Sequence, residues 1–220
     1  MAIDVVIFDC DGVLILGTLQ LYDEALAEAI RAVDPDVPEE DIVALQQSTR
    51  GLTFDNQLRH QLGETRDISS SIDIYESYIH QPTAFRRIRL LDGAEAELHR
   101  LLAAGKRLAL ATGMNPSLLN RLFAEGVLPD LFEGVASVHD IPESHLQKPH
   151  PKLLLQLLSS MNVKPERACY VGDSLSDIEM ARSAGVVSVA VLTGWMNRSQ
   201  AEGVKPDYIL DSMREVHTIL

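Results

Sequence analysis

The chain has 220 residues, with 19 basic against 32 acidic side chains and a formal net charge of −13. A surface that grips a polyanion needs clustered Lys and Arg, and none occurs here, so the charge argues against nucleic acid as a partner. An acidic shell also repels anions at long range, which means any anion site has to be built locally.

Hydrophobic residues make up 46% of the chain, enough for a substantial core, yet no run approaches the roughly 18–20 apolar residues of a membrane span. The opening Met1-Ala2-Ile3-Asp4 lacks the basic region and cleavage site of a signal peptide, and a cytoplasmic protein is expected. The two cysteines, Cys10 and Cys169, fall in predicted strands and read as small buried thiols rather than a disulfide.

The first predicted strand is Asp4–Phe8, whose β-branched and aromatic residues suit a strand covered on both faces. It closes on Asp9-Cys10-Asp11-Gly12. Side chains two apart on a strand point the same way, so Asp9 and Asp11 share one space and repel. Either they sit in a solvated turn, or a shared proton or a cation answers them.

Residues 15–90 show helical periodicity and no strand. Leu21, Tyr22, Ala25, Leu26, Ala29, Ile30 and Val33 form one apolar stripe, and further helices are expected at Glu39–Ser48, Thr53–Leu62 and Ile68–His80. From about residue 91, helices and strands alternate, with strands at Arg107–Ala111, Gly134–Val138, Ala168–Gly172, Val186–Leu192 and Tyr208–Leu210. That alternation predicts an α/β protein with a parallel sheet. The expected organisation is a core of residues 1–14 and 91–220, with an inserted all-helical cap of residues 15–90.

Ligands of open parallel sheets bind at the carboxyl ends of the strands. Three more polar groups belong to that edge. Thr112-Gly113 is a helix cap or a small anion cradle. Lys148 is fenced by prolines in Gln147-Lys148-Pro149-His150-Pro151, which limits where it can reach. Asp173 and Asp177, in Gly172-Asp173-Ser174-Leu175-Ser176-Asp177, either cap a helix or join the first carboxylates. Asp9, Asp11 and Asp173 together offer hard oxygen donors with charge to neutralise, which points to Mg²⁺ rather than zinc.

In this order the four segments resemble the four motifs of the haloacid dehalogenase superfamily, in its phosphatase branch with a helical cap between motifs one and two. F-D-C-D-G-V-L, A-T-G, K-P-H-P and V-G-D-S-L-S-D-I carry the resemblance. It implies a Rossmann-like core and a Mg²⁺-dependent phosphatase of small phosphorylated metabolites, similar to phosphoglycolate phosphatases. Pyrophosphate or a sugar phosphate is the alternative substrate, followed by a phosphomutase or a non-catalytic binding protein on the same fold.

By resemblance Asp9 is the nucleophile that forms an aspartyl-phosphate, and Asp11 is the general acid and base. Mg²⁺ is held by Asp9, Asp173 and the main-chain carbonyl of Asp11. Lys148, Thr112 and amides near Gly12 and Gly113 stabilise the phosphoryl oxygens, and Asp177 is a secondary ligand or a brace for Lys148. Arg50-Gly51 in the cap resembles the loop that enters the site in capped relatives, where Arg50 would hold a substrate anion. Residues 15–90 contain no lysine, which argues against Schiff-base chemistry on the cap. Leu21-Tyr22 stands where mutases carry a histidine, and Leu16-Gly17 departs from the Asp-Ser pair of many relatives. Oligomeric state is not fixed by the sequence.

Overall fold

The computed structural model describes residues 3–49, 52–63 and 67–220. β1 (Val5–Phe8) leads through a loop into β2 (Ile15–Leu16), then α1 (Thr18–Val33), α2 (Glu39–Ser48), α3 (Phe54–Leu62), α4 (Ser69–Ile79) and the single turn α5 (Pro82–Phe85). After β3 (Arg89–Leu90) come α6 (Ala94–Ala103), β4 (Arg107–Thr112), α7 (Pro116–Ala124), β5 (Gly134–Ser137) and α8 (Lys152–Ser160). The chain closes with β6 (Ala168–Gly172), α9 (Leu175–Ala184), β7 (Val187–Val191), α10 (Arg198–Val204) and β8 (Tyr208–Leu210).

Six of these strands form one parallel sheet in the order β5-β4-β1-β6-β7-β8. β1 runs through its centre because all four of its side chains are apolar and both faces are covered. Val6 and Phe8 pack with Leu98, Leu101, Leu118 and Leu122 of α6 and α7. Val5 and Ile7 turn to the opposite face, against Leu153, Leu154 and Leu157 of α8 and Met180 of α9. Each such side chain contributes about 1.5–3 kcal/mol when fully buried, so β1 is firmly seated. Phe8 pairs with Leu110 of β4 and with Val171 of β6. The residues just past those three strands therefore emerge side by side.

The helical segment has a small core of its own, in which Leu26 and Ile30 of α1 meet Ile42, Leu45 and Leu58. The other face of α1, through Leu21 and Ala25, packs with Tyr75 and Ile79 into the main core.

Three local expectations are corrected. The sequence predicts no strand within 15–90, yet β2 and β3 pair antiparallel there, Ile15 with Leu90 and Leu16 with Arg89. Two residues per strand are too few for an alternation to register. Cys10 lies in the bend after β1 rather than in a strand, although it and Cys169 are both buried free thiols. The expected strand Gly134–Val138 stops at Ser137, whose hydroxyl caps a 3₁₀ turn over Val138–Asp140.

The ribbon also gives Gly17 its reason. Gly17 has φ +94°, and a Cβ on it would stand 2.2 Å from the carbonyl oxygen of Arg87. Only glycine lets the outgoing and returning chains pass this closely. Arg87 also clamps α1 through a two-point contact with Glu24, at 2.6 and 3.0 Å.

Candidate active site

Asp9 continues β1 by one residue, its N–H donating to Val171 O at 2.9 Å. The chain then folds back, with the N–H groups of Leu14 and Ile15 both donating to Cys10 O at 2.9 Å. Gly12 sits in this turn at φ +70°, and its N–H donates to Ile15 O at 2.9 Å. That amide is thus committed inside the loop. A Cβ on Gly12 would lie 2.4 Å from Asp173 Oδ2. Gly194, in the loop after β7, meets the same oxygen from another side, at 1.7 Å for an added Cβ. The two glycines form a wall against which the Asp173 carboxylate rests, and the Trp195 N–H donates to that oxygen at 2.8 Å.

Lys148 is the hub. Its Nζ donates to Asp9 Oδ1 at 3.0 Å, to Asp177 Oδ1 at 2.9 Å and to the Tyr170 hydroxyl at 2.8 Å. Burial alone would lower its pKa, but the carboxylates of Asp177 and Asp9 outweigh that and hold it firmly charged. Asp177 is buried yet held below the usual carboxylate range, because Lys148, Ser174 and the Ser174 N–H offset the desolvation.

Asp9 is pushed up to about 6 by burial, against the pull of Lys148 and with a push from Asp177. Asp173 is raised well above its ordinary value by burial and by Asp177 and Asp9. Asp11 rises to about 7 through burial and the neighbouring Asp9 charge, moderated by Thr18 and Tyr22. The Tyr22 hydroxyl, on α1, lies 3.5 Å from Asp11 Oδ2 and so brings the helical segment to this carboxyl. Four buried or half-buried carboxyls thus face one ammonium.

That excess fits a divalent cation. Carboxylate oxygens of Asp9, Asp173 and Asp177 lie within 4.8 Å of one another. Asp177 is already used: Oδ1 accepts from Lys148 and Tyr170, and Oδ2 accepts from the N–H groups of Asp173 and Ser174 and from Ser174 Oγ. Both of its oxygens are thus hydrogen-bonded, whereas Asp9 accepts from Lys148 and Asp173 from the Trp195 N–H. The side chain of Asp11 is not in this group. The donors are hard oxygens suited to a hard cation.

Thr112 ends β4, fully buried, and its Oγ1 accepts from the Met114 N–H at 3.1 Å. Asn115 caps α7 in the next turn, through Ser117 and Leu118 N–H, and donates across to Glu76 of α4. Asp9, Asp11, Gly113, Lys148, Asp173 and Asp177 line one cavity of about 80 Å³, to which the helical side contributes Tyr22, Gln46, Leu52 and Gln57. Arg50 and Gly51 lie outside the described residues. Sequence reasoning missed Tyr170, Trp195 and the tie from Tyr22 to Asp11. Of these only Tyr170 left a signal, as the one aromatic in an otherwise small and aliphatic strand.

Among curated proteins, the phosphoglycolate phosphatase of Nitrosococcus oceani is 32% identical over 135 residues, covering 61% of this chain and 59% of that protein. The pyrophosphatase PpaX of Bacillus cereus is 27% identical over 224 residues, covering 100% of this chain and 97% of that protein. Among solved structures, CbbY from Rhodobacter sphaeroides in complex with phosphate superposes with a TM-score of 0.76 at 26% identity, covering 97% of this chain and 96% of that one. Residues 3–185 match the haloacid dehalogenase-like hydrolase family. With that match spanning most of its length, the chain belongs to the haloacid dehalogenase-like hydrolases.

Proposed function

We propose that the protein is a Mg²⁺-dependent phosphatase of a small phosphorylated metabolite, working through an aspartyl-phosphate on Asp9. The observation that carries this is the pairing at the end of β1: Asp9 lies against Lys148 at 3.0 Å, while Asp11 rises to about 7 two residues away. One carboxyl is held beside a fixed cation and the other retains a proton near neutrality. That is the division of labour between a nucleophile and a general acid.

Asp9 attacks phosphorus in line, forming the Oδ–P bond as the bond to the leaving oxygen breaks. Asp11 gives its proton to that oxygen, then takes one from the water that hydrolyses the acyl phosphate. Lys148, the Thr112 hydroxyl and the Gly113 amide are the groups for the phosphoryl oxygens. Asp9, Asp173 and the main-chain carbonyl of Asp11 would hold Mg²⁺, which when bound offsets the repulsion between nucleophile and phosphoryl oxygens. Asp177 keeps Lys148 in place.

Residues 15–90 serve as a cap over this site, bringing Tyr22, Gln46 and Gln57 to the leaving group. Phosphoglycolate is the first candidate substrate and pyrophosphate the second, since relatives of both names match. We place the protein in the cytoplasm, where Cys10 and Cys169 stay reduced. Phosphate release over a broad metabolite panel, with Mg²⁺ and with chelator, tests the proposal. Cation-dependent release from at least one phosphoester is expected, and its absence across the panel would sink the reading.

A further inference from the structure

We infer that Tyr170 is a positioning residue, whose hydroxyl holds Lys148 at the phosphoryl-transfer site by tying it to the main chain of β4. The inference rests on the phosphatase proposal and concerns how its lysine is aimed.

An ammonium has three N–H donors. All three of those on Lys148 are engaged, with Asp9, Asp177 and Tyr170, at 3.0, 2.9 and 2.8 Å. One partner, Asp9, changes identity during the reaction, because its carboxylate becomes an acyl phosphate. The N–H aimed at Asp9 is the one available to follow charge onto a phosphoryl oxygen. The other two have to stay fixed for that shift to be small and directed, and they end on Asp177 and Tyr170.

Tyr170 is suited to this. It is fully buried in β6, so no water replaces its hydroxyl without a rearrangement. Its single O–H reaches Ala111 O at 2.9 Å, one residue before Thr112, with Asp177 Oδ1 at 3.1 Å as the other acceptor within range. The lone pair accepts from Lys148. Through one oxygen, then, the lysine from the loop before α8 is referenced to the strand end that presents Thr112 and Gly113. Nζ meets Tyr170 at its hydroxyl end, with the ring centroid 5.4 Å away. Removing the hydroxyl leaves the ring in its place in the core and deletes the tie.

Two substitutions separate aiming from packing. Tyr170→Phe keeps the ring and loses the acceptor, whereas Tyr170→Gln keeps an acceptor and loses the ring. Steady-state kinetics on a phosphoester the wild type hydrolyses should show kcat about tenfold lower for Tyr170→Phe, with KM changed less than twofold and the melting temperature close to wild type. Tyr170→Gln should recover part of that loss. Orthovanadate, which mimics the five-coordinate phosphoryl group, should bind Tyr170→Phe about as much more weakly as kcat falls. In a Lys148→Ala background the same substitution should change vanadate affinity less than twofold, since a residue acting through Lys148 has nothing left to act on.

An unchanged kcat in Tyr170→Phe, an equal loss of vanadate affinity in both backgrounds, or a Tyr170→Phe chain that is unfolded at the assay temperature would each overturn the inference. A wild-type protein that neither releases phosphate nor binds vanadate would instead remove the phosphatase proposal beneath it.

Discussion

Lys148 Nζ lies 3.0 Å from Asp9 Oδ1, joining two residues that are 139 positions apart in the chain. Both are buried, and the same ammonium also neutralises Asp177. Lys148→Met would keep most of the volume and leave two buried carboxylates without a cation. Breaking a buried ion pair from one side costs about 3–5 kcal/mol, so denaturant unfolding should register a loss of that size. Turnover should fall at least about 100-fold, because the charge facing the phosphoryl group is gone.

Asp9→Asn should leave stability nearly unchanged, unlike Lys148→Met. The amide keeps an oxygen for Lys148 and removes a carboxylate that burial has already pushed up to about 6. Thermal unfolding should therefore stay near wild type while phosphate release drops at least about 10³-fold, as expected when a nucleophile is removed. Retention of substantial activity would take the nucleophile's role away from Asp9.

The pH response of Asp11 has a definite sign. Its folded pKa, about 7, is raised above the ordinary aspartate value of 3.8. An acid raised by folding contributes stability fully present below its unfolded pKa and lost as pH climbs through the folded one. In chelator, wild type should therefore lose stability relative to Asp11→Asn between about pH 4 and 7, by at most about 1.4 kcal/mol per pH unit. Melting curves of both proteins at pH 5, 6, 7 and 8 check this, and a gap that narrows as pH rises would contradict it.

Gly194→Ala tests the wall behind Asp173. The new Cβ would stand 1.7 Å from Asp173 Oδ2, so the carboxylate has to move. Overpacking of this kind costs about 1–3 kcal/mol. The sharper readout is the cation: Mg²⁺ affinity by calorimetry should weaken about tenfold or more, as it should in Asp173→Asn. Unchanged affinity in both variants would remove Asp173 from the cation site.

The parallel sheet and the helical insert were legible because their signals are long or dense. V-V-I-F is a fully apolar run, and helices of 7 to 10 residues separate the later strands, so periodicity had room to register. The positions of Asp9 and Asp173 just past the neighbouring strands β1 and β6 follow from that order. What escaped depends on three-dimensional neighbours that no local pattern encodes. Gly12 reads as a phosphate-loop glycine, yet its amide is closed by Ile15 and its missing side chain makes room for Asp173 from a strand 160 residues on. Asp177 reads as an ion ligand or a brace, and its contacts with Lys148, Tyr170 and Ser174 come from three-dimensional neighbours. The β2–β3 ribbon was invisible because a two-residue ladder has no period.

That ribbon has a mechanical meaning. Ile15 and Leu16 leave the sheet region hydrogen-bonded to Leu90 and Arg89, which return to it. The segment between them thus leaves and re-enters the core at one place, with its two ends a strand spacing of about 4.8 Å apart. It rests on the core a second time through Leu21, Ala25, Tyr75 and Ile79. A change of length between these two attachments leaves the register of the six-stranded sheet alone, as long as those four side chains keep their seats.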